Sequence, residues 1–398
     1  MITAPIPADE QERLAELHAT NLLDTPAEAR FDRLVELAMD IFDVPMTYIA
    51  LVDADRQWFK AKCGLTSEQT GRDESFCGHT ILRREPLIVP DALNDERFFD
   101  NPLVLGDPGV RFYAGYPLAG QSGHNIATLC LADVQPRELS DRQLETFGKL
   151  ARIAEHELKH YELILAACTD LAARVRRVLE QNQVPLVLGG DHSIAMGTIS
   201  GVSSYVRAQG AELGLIWFDA HGDMNTPSSS PSGNIHGMPL SHVLGVDGVD
   251  EGLAGIEGFA PKVKPENVAL IGIRDIDDKE RGIIHESGIR TFTMSEIDRR
   301  GMAAVTAEAL EVVTSGTSGF HVSFDVDGCD PAVIPGSGTL VPGGVSYREA
   351  HYLLEECAAT RKMLSMEVVE LNPFLDQGNI SAERARDLIL SAFGKRIL

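Results

Sequence analysis

The stretch that decides the fold reads Leu213-Gly-Leu-Ile-Trp-Phe218, followed at once by Asp219-Ala-His221-Gly-Asp223-Met-Asn225. An apolar run without polar alternation is what a strand buried on both faces looks like, and such strands belong to parallel sheets covered by helices on each side. Working outward, residues 184–188, 268–273, 290–293, 321–326 and 364–371 read the same way. They alternate with segments of helical period at 161–181, 193–207, 278–286, 303–314, 347–359 and 381–393. The second half is therefore expected to be α/β, a parallel sheet with helices on both faces. In open sheets of this kind functional groups gather beyond the carboxyl ends of the strands.

Those ends carry the chemistry. Residues at i, i+2 and i+4 of an extended chain point to one side, so Asp219, His221 and Asp223 are expected to converge. The run 321–326 repeats the device as Asp325-Val-Asp327, and the run 184–188 leads into Gly189-Gly-Asp-His192-Ser193. Four Asp and two His would meet at one edge. Carboxylates packed together without cations raise one another's pKa and strain the fold, whereas two divalent ions neutralise four of them. A set of carboxylates and imidazoles without thiolate suits Mn²⁺ better than a Cys-rich structural zinc site. The expected cofactor is two Mn²⁺ ions.

Composition narrows the remaining classes. The chain has 398 residues, 44% hydrophobic and 24% charged, enough for two or three domains with ordinary cores. Its net charge of −24 is spread over both halves, which disfavours nucleic acid as a partner. Six Cys without a C-x-x-C pair read as reduced thiols. Neither a signal peptide nor an 18-residue apolar run is present, so the expectation is a cytoplasmic protein with no membrane partner.

The first half has a different grammar. Helical periods at 7–20, 27–42 and 141–161 enclose strand-like runs at 46–52, 58–62, 86–89, 115–118 and 127–132, an α+β layout. Tyr48-Ile-Ala-Leu-Val-Asp, Gln57-Trp-Phe-Lys, Ser75-Phe-Cys-Gly-His, Asn101-Pro-Leu-Val, Val110-Arg-Phe-Tyr-Ala-Gly and Ala127-Thr-Leu-Cys-Leu-Ala-Asp together resemble a GAF domain over about residues 10–160. The resemblance implies a sensory or regulatory domain with a small-molecule ligand of unknown identity. Cys77 and His79 would point the same way on an extended segment, as a metal or redox pair, or equally as a packed thiol and a hydrogen-bonded ring.

The strand-end motifs, with Ser230-Pro-Ser-Gly-Asn-Ile-His-Gly-Met-Pro, Ile271-Gly-Ile-Arg-Asp-Ile-Asp, Gly338-Thr-Leu-Val-Pro-Gly-Gly and Glu370-Leu-Asn-Pro, resemble the arginase, or ureohydrolase, family over about residues 161–398. The family's usual N-terminal region has no counterpart, the GAF-like segment standing in its place. The expected organisation is thus an α+β GAF-like domain at 1–160, then an α/β arginase-like catalytic domain at 161–398. Position by position, the resemblance makes His192, Asp219, Asp223 and Asp325 ligands of one Mn²⁺, and His221, Asp219, Asp325 and Asp327 ligands of the other. It makes His236 the proton shuttle, Glu370 the partner of the guanidinium and Asp223 a further catalytic group. Asn225, Ser230, Ser232, Asn234, Asp277 and Thr339 would bind substrate. The implied reaction is metal-dependent hydrolysis of L-arginine to L-ornithine and urea, a step of arginine metabolism. A homo-oligomer stays open, as do two alternatives: an agmatinase-type ureohydrolase, and a sensor or scaffold whose truncated hydrolase half turns over poorly.

Overall fold

The computed structural model describes residues 1–20, 22–25 and 27–396. They divide into two compact units, 1–163 with 231–233, and 164–230 with 234 onward.

The first unit holds helices α1 (Glu10–Ala19), α2 (Ala29–Phe42), α3 (Phe76–Thr80) and α4 (Pro102–Leu105). Its strands are β1 (Met46–Val52), β2 (Arg56–Cys63), β3 (Gln69–Gly71), β4 (Leu87–Val89), β5 (Phe112–Ala119) and β6 (Asn125–Asp133). They form one antiparallel sheet in the order β3-β2-β1-β6-β5-β4. Alternation along β1 divides its side chains between two cores. Ile49 and Leu51 join Phe31, Val35, Phe147 and Leu150, while Tyr48, Ala50 and Val52 join Phe76, Phe98 and Tyr113. Cys77 and His79 do not share a side, because their segment is the helix α3 rather than a strand. Ser75 Oγ caps it by accepting the Gly78 N–H at 2.9 Å. Positions i and i+2 diverge on a helix, so Cys77 is fully buried 3.6 Å from Cys130 Sγ, and His79 Nε2 donates to the Ile2 carbonyl at 2.9 Å.

Helix α5 (Asp141–Glu180) runs through the division between the units without a break, joining two segments that the sequence reads separately. The second unit continues with β7 (Leu186–Leu188), α6 (Ala195–Ala208), β8 (Leu213–Phe218), α7 (Pro239–Leu244), α8 (Glu251–Ala254), β9 (Val268–Ile273), α9 (Asp278–Ser287) and β10 (Arg290–Thr293). It ends with α10 (Met294–Arg300), α11 (Met302–Thr314), β11 (Gly319–Asp325), α12 (Tyr347–Thr360), β12 (Met363–Val369) and α13 (Ile380–Ala392).

All six strands of this unit run parallel, in the order β10-β9-β8-β11-β12-β7. Ile216, Phe218, Phe320, Val322 and Phe324 meet α11, α12 and α13 on one face. Leu215 and Trp217 meet Val175 and Leu179 of α5 and Ile199, Val202 and Val206 of α6 on the other. The expected α/β sheet with helices on both faces is present. The two edge strands depart from the expectation of burial: in β10 only Phe292 is buried, and in β7 Leu186 is 38% and Leu188 68% exposed. The reason is position, since among the described residues β7 pairs only with β12 and β10 only with β9. No helix among the described residues is long and apolar enough to cross a membrane.

Candidate metal centre

Because β8, β11, β12 and β7 are parallel neighbours, their carboxyl ends lie side by side, and each delivers polar residues as it stops. Beyond β8 come Asp219, His221 and Asp223, the last at φ 52°. Asp325 ends β11, and its carboxylate accepts the Asp327 N–H at 2.8 Å, tying the following turn. After β7, Asp191 caps the turn His192–Ile194. Glu370 follows β12 at φ 63°, a region that costs a non-glycine residue of order 1 kcal/mol and persists where surroundings over-determine it. Here Glu370 N donates to Gly190 O, and its own carboxylate accepts the His192 N–H, both at 2.9 Å.

Six predicted ligands come together. His192 Nδ1 lies 3.1 Å from Asp219, 2.9 Å from Asp223 and 3.1 Å from Asp325. His221 Nδ1 lies 3.3 Å from the other oxygen of Asp219 and 3.2 Å from Asp327. Two groups suited to a metal ion result, His192 with Asp219 and Asp223, and Asp219 with His221 and Asp327, each with its ligand atoms within 4.8 Å of one another. Asp219 belongs to both.

The electrostatics ask for positive charge. Two carboxylates at about 4.8 Å repel by roughly 3 kcal/mol at an effective dielectric of about 20. Asp223 and Asp325 have pKa values raised well above the usual range, first by burial and then by neighbouring carboxylates. Burial works against His221, yet bonds to Asp219 and Asp327 push it up to about 12. His192 Nδ1 is buried, faces three carboxylates and has no hydrogen-bond partner. A buried, orphaned nitrogen among carboxylate oxygens, with no thiolate nearby, fits a divalent cation of the Mn²⁺ type.

Around this cluster the remaining predicted residues fall into three sets. His236 sits half-buried in the turn Ile235–Gly237, close enough to Glu370 to lower its pKa, although burial, the larger effect, raises it. Asn225 Nδ2 donates to Asp277 Oδ2 at 2.8 Å and Asn225 Oδ1 accepts from Ser229, while Ser230 is buried and Ser232 and Asn234 are exposed. Thr339 donates to Asp327 at 2.8 Å, so its hydroxyl is engaged with the cluster itself.

Several contributors escape the sequence reading. Trp217 stacks on the His192 ring at 4.1 Å and donates to Asp219 at 3.0 Å. Glu280 is buried, accepts the Met224 N–H and is raised to about 7, chiefly by burial. Ser323 and Glu367 lie behind His192. The period-2 polarity of His321, Ser323 and Asp325 within an otherwise apolar run was the available signal.

A model of the arginase family matches residues 121–394, and a GAF-domain model matches 26–158, the two overlapping at 121–158. The chain is 48% identical over 244 residues to an arginase of Bacillus subtilis (strain 168), covering 61% of this chain and 80% of the relative. It is 49% identical over 240 residues to an arginase of Brevibacillus brevis, covering 60% and 78%. The solved structure of an arginase from Bacillus caldovelox superposes with a TM-score of 0.57 at 47% identity, covering 59% of this chain and 77% of that one.

Proposed function

The chain belongs to the arginase family and is an arginase-type ureohydrolase that also contains a GAF domain, and from that premise we propose that it hydrolyses L-arginine to L-ornithine and urea at two Mn²⁺ ions. The observation that carries this reading is the sharing of Asp219 by two metal-suited groups at one sheet edge. In this reading His192, Asp219, Asp223 and Asp325 would hold one ion, and His221, Asp219, Asp325 and Asp327 the other. Bound there, two divalent cations supply the charge that stabilises hydroxide near neutral pH and polarises the substrate.

The rest falls to the chain's own side chains. Glu370 pairs with the guanidinium, supported by its fixed place beside His192. His236, on a half-buried turn next to Glu370, delivers a proton to the departing amine. The α-amino and α-carboxylate end is met by Asn225, Ser230, Ser232, Asn234 and Asp277, donors and an acid that agmatine, lacking a carboxylate, would leave partly unanswered. Asp223 completes the cluster, and Thr339 holds Asp327. Residues 1–160 are proposed to be a regulatory domain with a small-molecule ligand, and residues 161–398 the catalytic domain.

Urea release by the full chain, from arginine and agmatine side by side with and without Mn²⁺, tests the proposal. Mn²⁺-dependent urea from arginine is expected. Release from agmatine alone would replace it by the agmatinase reading, and none from either would leave a scaffold.

A further inference from the structure

The face of β11 opposite Phe320, Val322 and Phe324 is polar, although it is as deeply buried as the rest of the sheet. In register with β12, His321 pairs with Ser365 and Ser323 pairs with Glu367, and all four are 0% exposed. Burying a carboxylate is costly unless its partners recover the loss, and apolar residues would fill these positions without that cost. The polar chain therefore calls for an explanation other than packing.

Its hydrogen bonds have one possible direction. An ionised carboxylate only accepts, so Ser323 Oγ donates to Glu367 Oε1 at 2.7 Å. The oxygen of Ser323 is then left to accept, and at 2.8 Å it takes the Nε2–H of His192. That places the lone pair of the neutral ring on Nδ1, the atom facing Asp219, Asp223 and Asp325. His321 Nδ1 lies 2.7 Å from Ser365 Oγ, and its Nε2 stands 3.3 Å from Glu367 Oε1 but without a hydrogen bond to it.

We propose that Glu367 is a positioning residue for His192: acting through Ser323, it fixes the tautomer that turns Nδ1 to the cation and makes that nitrogen a stronger ligand. This rests on the metal reading of the site given above. A hydrogen-bond partner of this kind behind a metal-binding imidazole is worth about 10- to 100-fold in metal affinity.

The test is Mn²⁺ binding to the metal-stripped full chain, followed by calorimetry and by the electron paramagnetic resonance of free Mn²⁺. Glu367→Gln keeps the volume and removes the charge, and Ser323→Ala cuts the connection. Each is expected to weaken one of two bound ions about 10- to 100-fold. Because both act through one chain, the double variant should bind no more weakly than the worse single one. Unaltered affinity in Glu367→Gln, or losses that add in the double variant as two separate packing defects would, overturns the proposal. Should Glu367→Gln fail to fold, Glu367→Asp, which keeps the charge but withdraws it by one methylene, takes its place with the same expectations. Absence of Mn²⁺ binding by the unaltered chain would instead overturn the metal reading itself.

Discussion

Asp219 bears more of the site than any other single side chain. One oxygen faces His192 and the other His221, and the Trp217 indole and the His221 N–H both donate to it. Asp219→Asn replaces a doubly shared acceptor by an amide that offers one oxygen, and it should cost both ions together with activity. His236→Ala is expected to differ in kind: proton transfer by a placed side chain is worth about 10²- to 10⁴-fold, so turnover should fall by that order while two Mn²⁺ remain bound. Metal analysis beside urea release separates the two variants, and two ions in Asp219→Asn would remove the shared role. At this scale the sequence reading reached the six cluster residues from their place after apolar runs and from the family resemblance. The extended i, i+2 geometry it assumed does not hold, since Asp219, His221 and Asp223 follow the last residue of β8 and His192 and Asp327 lie in turns. It missed Trp217, Ser323 and Glu367, whose importance lies in partners far away in the chain.

Among the elements, α6 owes its closeness to α5 to glycine. A Cβ at Gly201 would press into the Ala172 carbonyl, with Ala172 Cα at 3.0 Å, and a backbone contact cannot yield as a flexible side chain does. Gly201→Ala should lower stability by about 1 to 3 kcal/mol, read as a drop in Tm of the full chain, despite the better helix propensity of Ala. In the first unit α1 is tied down by charge. Glu10 accepts from Arg13, whose side chain is nearly fully buried and also donates to the Val52 carbonyl at 2.7 Å, and from Arg72. Burial raises the Glu10 pKa, but the bonds from Arg13 and Arg72 outweigh it and hold it at about 2 instead of 4.5. A depressed carboxylate adds stability above its unfolded pKa and loses it as pH falls towards the folded one. Tm should thus fall between about pH 4.5 and 2 less steeply in Glu10→Gln than in the unaltered chain, and parallel curves would argue against this anchor. Strands β1, β8, β9 and β10 have the bounds expected from their apolar runs, whereas α3 does not follow from such a pattern. Its five residues are nucleated by the Ser75 cap, a side-chain bond that periodicity does not register.

For the molecule as a whole, binding only to the folded state stabilises by mass action, about 2.7 kcal/mol at a ligand concentration one hundred times Kd. Chelation should therefore lower Tm of the full chain as well as activity, and added Mn²⁺ should restore both. An unchanged Tm in chain shown to be metal-free would mean that the cluster is not relieved by a cation. By itself the sequence determined the class of each half, since period 2, period 3.6 and unbroken apolar runs are local properties that follow from how a chain turns its side chains. It also determined that acids and imidazoles stand at strand ends. The tertiary structure alone decided which strands are neighbours, and with that the rest. Strand order β8-β11-β12-β7 is what lets Asp219, Asp325, Glu370 and His192 meet, exposes Leu188 on an edge, and sets Ser323 opposite Glu367. Such pairings join residues tens of positions apart, and no local rule of side-chain direction specifies them, because they are selected by the burial of the whole sheet between its two layers of helices.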